Sequence, residues 1–334
     1  MSFTLPSISP QLAAGTVLAA VALVFTAVAQ PAAQKTAQPL TVAFIGDQGF
    51  TKNSRAVLRL IKQQGTDMVL HQGDFDYKRK PGKWNAMINE ILGEDFPYFA
   101  SIGNHDVKAW HGANGYQAKL RARLARIEGA QCNGDLGLRS ACTYRGLFFI
   151  LSGIGTLPKR SRDDPHHVGY IKDQLAKTDA AWRICSWHKN QRAMQLGGKG
   201  SAVGWQACEA CREGGAIVAT AHEHSYSRTH LMDNFETQSV ASRPNTLVLE
   251  RGKSFAFVSG LGGRGIRDQE RDGDWWAAKY TKDQGADYGA LFCTFNVGGD
   301  PGRAHCHFRA ISGKVPDRFD IINAVHRPRK VGAD

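Results

Sequence analysis

Short apolar runs alternate with amphipathic stretches through the first half of the chain, a pattern that predicts strand–helix–strand units. Thr41–Ile45 is an apolar run ending in Gly46-Asp47, and a helix follows from Ser54 to Gln64. Asp67–His71 is a second strand, ending in Gly73-Asp74. Trp84, Met87, Ile88, Ile91 and Leu92 then repeat at helical spacing, before a third strand, Tyr98–Ile102, runs into Gly103-Asn104-His105-Asp106. Tyr116, Leu120, Leu124 and Ile127 mark another helix, with Lys119, Arg121, Arg123 and Arg126 as its solvated face. Leu147–Leu151 and Trp182–Ser186 are further strands, the latter ending at Trp187-His188. Gly215–Ala219 reads as a buried strand that ends in His222 and His224. After Arg228 strand-like runs follow one another between Gly-rich turns: Thr246–Glu250, Ser254–Ser259, Gly289–Asn296 and His305–Ile311. Alternation followed by consecutive strands predicts an α/β core completed by a second, more antiparallel sheet.

The first 29 residues stand apart. They carry no charged side chain, and Ala27-Val28-Ala29 before Gln30 has the small-x-small form of a signal-peptidase site. Residues 1–29 therefore read as a signal peptide, and the protein as secreted or extracytoplasmic. No Lys or Arg precedes the apolar run, so an uncleaved membrane anchor is the alternative. Residues 30–40 read as a linker, 41–325 as the catalytic domain and 326–334 as a basic tail.

Charge and cysteines narrow the picture further. A net charge of +12 favours anionic substrates or surfaces. No aromatic–basic module accompanies it, so no specific nucleic acid is expected, nor a membrane unless the leader is retained. Seven cysteines leave at least one outside any bridge. Cys132 with Cys142 and Cys293 with Cys306 are candidate disulfides. Cys208-x-x-Cys211, on a helix, is a local disulfide or a pair of thiols, and Cys185 in its apolar strand reads as a buried thiol.

The candidate chemistry sits at strand ends. His222 and His224, two apart on an extended chain, point the same way, and Glu223 points the opposite way. A pair of imidazoles leaving a buried strand suits a metal, with a plain surface turn as the bland reading. Asp47, Asp74 with Tyr77, Asn104 with His105, and His188 likewise end apolar runs. Singly these are N-caps, turns or structural histidines. Together, at the carboxyl ends of successive α/β strands, they predict one convergent site.

Gly46-Asp47-Gln48-Gly49, Gly73-Asp74-Phe75-Asp76-Tyr77, Gly103-Asn104-His105-Asp106, His188 and Ala221-His222-Glu223-His224 resemble the five motifs of the calcineurin-like metallophosphoesterases. More narrowly they look like the purple acid phosphatase branch. The usual histidine of the first motif is replaced by Gly49, and Tyr77 stands three residues after Asp74. Tyr226 and Arg228 fit the extended last motif of that branch. The resemblance implies a sandwich of two mixed β-sheets flanked by helices (α/β/β/α). It also implies Fe(III) on Asp47, Asp74, Tyr77 and His224, and a divalent Zn, Fe or Mn on Asp74, Asn104, His188 and His222. Carboxylate and phenolate oxygens favour the trivalent ion, whereas an amide oxygen and imidazoles suit the divalent one.

The implied activity is acid-phosphatase-type hydrolysis of a small phosphate monoester by a metal-bound hydroxide. His105 would contact substrate or protonate the leaving oxygen, with Asp106 orienting it. A phosphodiesterase or pyrophosphatase on the same centre is the nearest alternative, and a non-catalytic secreted or surface metal-binding protein is another. Three departures from the pattern stand out. Ala221 replaces a usual glycine, and Asp106 stands where glutamate is common. The histidine pair that plant-type enzymes carry after the fourth motif is absent from Lys189–Lys199. Asn104, Lys189 and Arg192 are the expected substrate-binding residues, with Gln191 and Lys199 as either phosphate binders or solvent-facing groups. Gly260–Arg267 offers backbone amides and Arg264 to an anion, or is an ordinary Gly-rich turn. His166-His167 reads as surface loop.

Overall fold

The computed structural model describes residues 1–5, 37–157, 162 and 164–325. The rest of the leader, most of the linker and the basic tail lie outside the described residues. In chain order the regular elements are β1 (Leu40–Ile45), α1 (Lys52–Gln63), β2 (Met68–His71), α2 (Pro81–Leu92), β3 (Tyr98–Ala100), α3 (Tyr116–Leu124), β4 (Gln131–Asp135), β5 (Arg139–Tyr144), β6 (Leu147–Ser152), α4 (Pro165–Lys177), β7 (Trp182–Ser186) and α5 (Trp205–Glu213). They continue with β8 (Ile217–Thr220), β9 (Tyr226–Thr229), β10 (Leu231–Asn234), β11 (Ser239–Ser242), β12 (Thr246–Leu249), β13 (Ala256–Ser259), β14 (Trp276–Tyr280), β15 (Gly289–Phe295), β16 (Arg303–Ala310) and β17 (Asp317–Asn323). None of the described helices is long and apolar enough to cross a membrane.

Two mixed sheets form the body of the domain, in the orders β12-β17-β16-β15-β1-β2-β3 and β14-β9-β13-β8-β7-β6-β5-β4. β1, β2 and β3 run parallel, as do β6, β7, β8 and β13, while β15 to β17 form an antiparallel meander beside β1. Helices α1 to α3 pack with the first sheet, and α4 and α5 with the second. β6 shows why the second sheet is buried on both faces. Leu147, Phe149 and Leu151 join the main core, whereas Phe148 and Ile150 face the cluster under α4 and α5. That period of two in an unbroken apolar run is what a doubly covered parallel strand requires.

Local chemistry fixes the helix starts. Thr51 Oγ1 accepts the Ser54 N–H and the Thr51 N–H donates in return to Ser54 Oγ, a capping box that opens α1. Pro81 and Pro165 occupy the first turns of α2 and α4, and Asp164 caps the latter. The two sheets are pinned to each other by a buried ion pair. Arg228 on β9 meets Asp317 at the start of β17 through two bonds of 2.8 and 2.9 Å, and Tyr226 donates to the same carboxylate at 2.7 Å.

Several sequence expectations change. Arg123 is not solvated: it is 1% exposed and donates to the carbonyls of Gly93 and Glu94, just beyond the end of α2. Cys185 is not a thiol but is bonded to Cys211, tying β7 to α5. Cys132–Cys142 and Cys293–Cys306 are bonded across adjacent strands, and Cys208 lies outside these three bridges. His166 and His167 lie on α4 rather than in a loop, and the buried His167 pairs with Ser152 Oγ and the Leu157 carbonyl.

Candidate metal centre

The ends of β1, β2 and β3 meet the ends of β7 and β8 across the gap between the sheets. Ser101, just past β3, donates its hydroxyl to the Ser186 carbonyl at the end of β7 at 2.8 Å. His188 Nδ1 pairs with the Gln72 carbonyl at 2.7 Å, and the His222 N–H donates to Asp47 Oδ2 at 2.8 Å. The loops touch backbone to backbone. A Cβ on Gly103 would stand 2.1 Å from the Asp74 nitrogen, so only glycine fits there.

Asp47, Asp74, Tyr77 and His222 all hold left-handed backbone, with φ of 55°, 61°, 57° and 68°. Such conformations are uncommon outside glycine and persist where the surrounding structure imposes them, often at functional sites. Here they turn each side chain inward after its strand has ended. Two clusters result. Tyr77 Oη donates to Asp47 Oδ1 at 2.7 Å and lies 3.2 Å from His224 Nε2, which is itself 3.3 Å from Asp47 Oδ1. Beside them, His188 Nε2 is 3.3 Å from Asp74 Oδ2 and 3.1 Å from His222 Nδ1. Ligand atoms of Asp74, His188 and His222 lie within 4.8 Å of one another, a spacing that suits a single cation.

Asn104 sits between Gly103 and His105, whose N–H donates to Asp74 Oδ1 at 2.8 Å. Its Oδ1 is buried with no hydrogen-bond partner. A buried amide oxygen left unpaired carries a desolvation cost that a cation would remove. The donor set therefore fits metal: carboxylates, a phenol, an amide oxygen and three imidazoles facing one space. His188 makes the tautomer explicit, because the Gln72 carbonyl requires a proton on Nδ1 and so leaves Nε2 as the lone-pair donor.

The electrostatics match that crowding. Burial opposes charge on Asp47, yet His224, His188 and Lys199 hold its carboxyl below the ordinary carboxylate range. Burial beside Asp47 and Asp74 pushes the Tyr77 phenol far above 10.0, so without a cation it keeps the proton it donates to Asp47. A bound cation inverts that preference. Burial also opposes charge on His188, but Asp74 raises its pKa, whereas burial and the neighbouring His188 depress His222.

The other sequence candidates fall in different places. The His105 imidazole is half exposed, 3.9 Å from Asp74 Oδ2, with its ring 4.5 Å from that of Tyr77. Asp106 is fully buried, and its carboxylate accepts the N–H groups of Asp74, Gly103 and Phe75 at 2.8 to 2.9 Å. Those bonds run to backbone and not to the His105 ring. Lys189 follows His188 directly, and its charge acts on His222. Arg192 lies further out, in a cleft beside Trp275 and Trp276. Lys199 comes closer to the centre, half-buried and within the fields of Asp47, Glu223 and Asp74. Arg264 stacks its guanidinium 4.9 Å from the Tyr77 ring centre, and its N–H donates to the Asp47 carbonyl at 2.8 Å. No sequence signal pointed to Gln72 as the partner of His188, because a backbone carbonyl has none.

Residues 40–226 match the family model of the calcineurin-like phosphoesterases. The chain belongs to that family. Calcineurin-like phosphoesterases are metal-dependent, and the carboxylate–imidazole cluster lies where five of the matched strands end. No curated protein matches the sequence. Among solved structures, a purple acid phosphatase from yellow lupin (Lupinus luteus) seeds superposes with a TM-score of 0.62 at 17% identity, covering 86% of this chain. The match covers 54% of the lupin chain, so this phosphoesterase spans about half the length of that relative. PhoD superposes with a TM-score of 0.57 at 13% identity, over 87% of this chain and 71% of its own. GAP50, the anchor in the inner membrane complex of Plasmodium, follows at 0.53 and 12% identity, over 85% of this chain and 89% of its own. At these identities the likeness is one of fold.

Proposed function

We propose that this phosphoesterase is exported, is of the purple acid phosphatase type, and hydrolyses phosphate monoesters with two metal ions. The observation that carries the reading is Asn104 Oδ1, a buried and unpaired amide oxygen on the loop that also supports Asp74. Asp47, Asp74, Tyr77 and His224 would hold Fe(III), and Asp74, Asn104, His188 and His222 a divalent Zn, Fe or Mn. When bound, the two cations supply Lewis-acid polarisation of the phosphoryl group and lower the pKa of water.

The chain's own residues do the rest. His105 is half exposed beside Asp74 and within reach of a leaving oxygen, the position a proton donor needs. Lys189 and Lys199 set positive charge toward the phosphoryl oxygens, a role that the absent histidine pair would fill in plant-type enzymes. Three disulfides support export, because such bonds persist in oxidising compartments.

The test is metal analysis and a visible spectrum on one sample, followed by assays on monoester and diester substrates. The expected result is two metals per chain, a broad phenolate-to-iron(III) band, and faster monoester hydrolysis. Two metals without the band would keep the phosphoesterase and remove the purple-type assignment. No metal, even after reconstitution, would overturn the catalytic reading.

A further inference from the structure

The segment that leaves β13, Gly260–Arg267, is stitched to two of the loops that carry the metal ligands. The Gly262 N–H donates to the Gly46 carbonyl at 3.0 Å, and the Arg264 N–H to that of Asp47 at 2.8 Å. The Arg267 N–H donates to the His224 carbonyl at 3.1 Å, and Thr51 Oγ1 donates to the Gly263 carbonyl at 3.0 Å. This backbone places the Arg264 guanidinium 4.9 Å over the centre of the Tyr77 ring, and the His105 imidazole lies 4.5 Å from the same ring. Gly49, with φ of 79°, adds no side chain there, where a Cβ would already stand 4.0 Å from Arg264 Cδ and 3.9 Å from Tyr77 Cδ2. Arg264 is exposed, and among the described residues its guanidinium has no hydrogen-bond or ion-pair partner. The acids near it in the chain face elsewhere. Asp268 pairs with Lys282 at 3.2 Å, Glu223 lies 3.6 Å from the Arg267 guanidinium, and the Glu270 carboxylate lies against Gly198. Lys78, Arg79 and Lys80, directly after Tyr77, are exposed as well, with their N–H groups fixed by the Asp76 carboxylate.

We propose that Arg264 is a specificity residue, which selects phosphoesters whose leaving alcohol carries an anionic group of its own, a carboxylate or a second phosphate. The inference rests on the phosphoesterase reading above. His105 is the group placed to protonate the leaving oxygen, so the alcohol emerges beside it. His105 and Arg264 flank one ring and are both open to solvent, so a substituent on that alcohol meets the guanidinium within a few bonds of the ester oxygen. The bonded backbone and the Tyr77 ring fix where the guanidinium sits, and its unpaired N–H groups form a fork that matches carboxylate or phosphate oxygens two at a time. Lys78, Arg79 and Lys80 add a positive field beyond Tyr77 that attracts polyanions without choosing among them. An alcohol with no negative charge gains nothing from Arg264.

The test compares kcat/KM on the metal-loaded full chain within two matched pairs. Phosphoserine against phosphoethanolamine isolates a carboxylate, and propanediol bisphosphate against its monophosphate, counted per phosphate, isolates a second phosphate. Ratios are read at physiological ionic strength, where the field of the surrounding lysines is screened. Paired bonds from the fork to an anion predict a preference of about tenfold in at least one pair. Arg264→Gln is expected to remove most of that preference, and Arg264→Lys, which keeps the charge without the fork, to fall between the two. Calorimetric titration with the phosphonate isosteres of phosphoserine and phosphoethanolamine, in which a methylene replaces the ester oxygen, reads the same contrast without catalysis. Hydrolysis with equal kcat/KM within both pairs would overturn the role of Arg264 and leave the function standing. Equal losses on both members of a pair in Arg264→Gln would also overturn it, making the residue a support for Tyr77. A preference that persists in Arg264→Gln would overturn it too and assign the selection to the lysines. Phosphonate binding with the contrast, but no hydrolysis of any ester, would keep the anion site and overturn the phosphoesterase reading.

Discussion

Asp106 Oδ2 accepts the backbone N–H of Asp74 at 2.8 Å, so one carboxylate holds from beneath the loop that presents another. The same oxygen takes the Gly103 amide and its twin takes that of Phe75, which locks the Asp74 and Asn104 loops to each other. Asp106→Asn would turn an amide N–H₂ toward at least one of these donors. Outer partners of metal ligands are worth about 10- to 100-fold in affinity or activity. The expected outcome is a folded protein with metal affinity reduced by that factor, measured by titrating metal into chelator-treated protein. Unchanged affinity would confine Asp106 to a loop tie without influence on the centre.

Tyr77 is expected to set the colour of the metal-loaded protein. Tyr77→Phe removes the phenol oxygen, 2.7 Å from Asp47 and 3.2 Å from His224, with little change in shape. The visible band should disappear while the far-ultraviolet circular dichroism stays the same. A band that survives the substitution would mean that another residue supplies the phenolate.

His71 gives the fold an acid sensitivity of its own. Fully buried between Tyr98 Oη and the Gly73 carbonyl, it is pushed down to about 3, mainly by desolvation. Because its pKa is lower folded than unfolded, below its ordinary 6.5 the unfolded chain takes up a proton that the folded chain refuses. The stabilisation is complete above that pH and falls by about 1.4 kcal/mol per unit as pH drops toward 3. Urea unfolding at pH 7, 6 and 5 should show this loss in the parent and a flatter profile in His71→Gln. Parallel profiles would assign the acid sensitivity to other groups.

Asp317 carries the ion pair between the sheets. Removing one partner of a buried, bonded pair leaves an uncompensated charge, at a cost of about 3–5 kcal/mol. Arg228 is fully buried, with its guanidinium 4.2 Å over the Phe319 ring, and has no route to water. Asp317→Ala should therefore lower the urea midpoint strongly, and Arg228→Met with Asp317→Leu should recover much of it. A loss under 1 kcal/mol for the single change would show that the pair is solvated.

The strands that deliver the site were legible because each is an unbroken apolar run that stops at a polar cluster, as Thr41–Ile45 stops at Asp47. The elements that escaped lack that signature. β4, Gln-Cys-Asn-Gly-Asp, has almost no apolar side chain and is largely exposed, so only pairing with β5 makes it a strand. β17 alternates buried and exposed positions with charges among both, and its Asp317 finds Arg228 89 residues away. Arg123 looked solvated because helical periodicity reports its own helix and not the carbonyls beyond α2 that are folded against it. Cys185 faces α5 because of the strand's alternation, and nothing in its run of neighbours names Cys211 as its partner. The convergence of five strand ends was therefore local information, whereas the bonds between layers were not.

The bond between Cys185 and Cys211 makes the intervening stretch, 26 positions from cysteine to cysteine, a closed ring anchored in β7 and α5. His188 stands near one anchor, and Lys199 with the wall of the tryptophan cleft lies along the span. The middle of the ring is fitted to the body as well as tied at its ends, with Met194, Gln195 and Leu196 buried and Gly197 packed against Glu223.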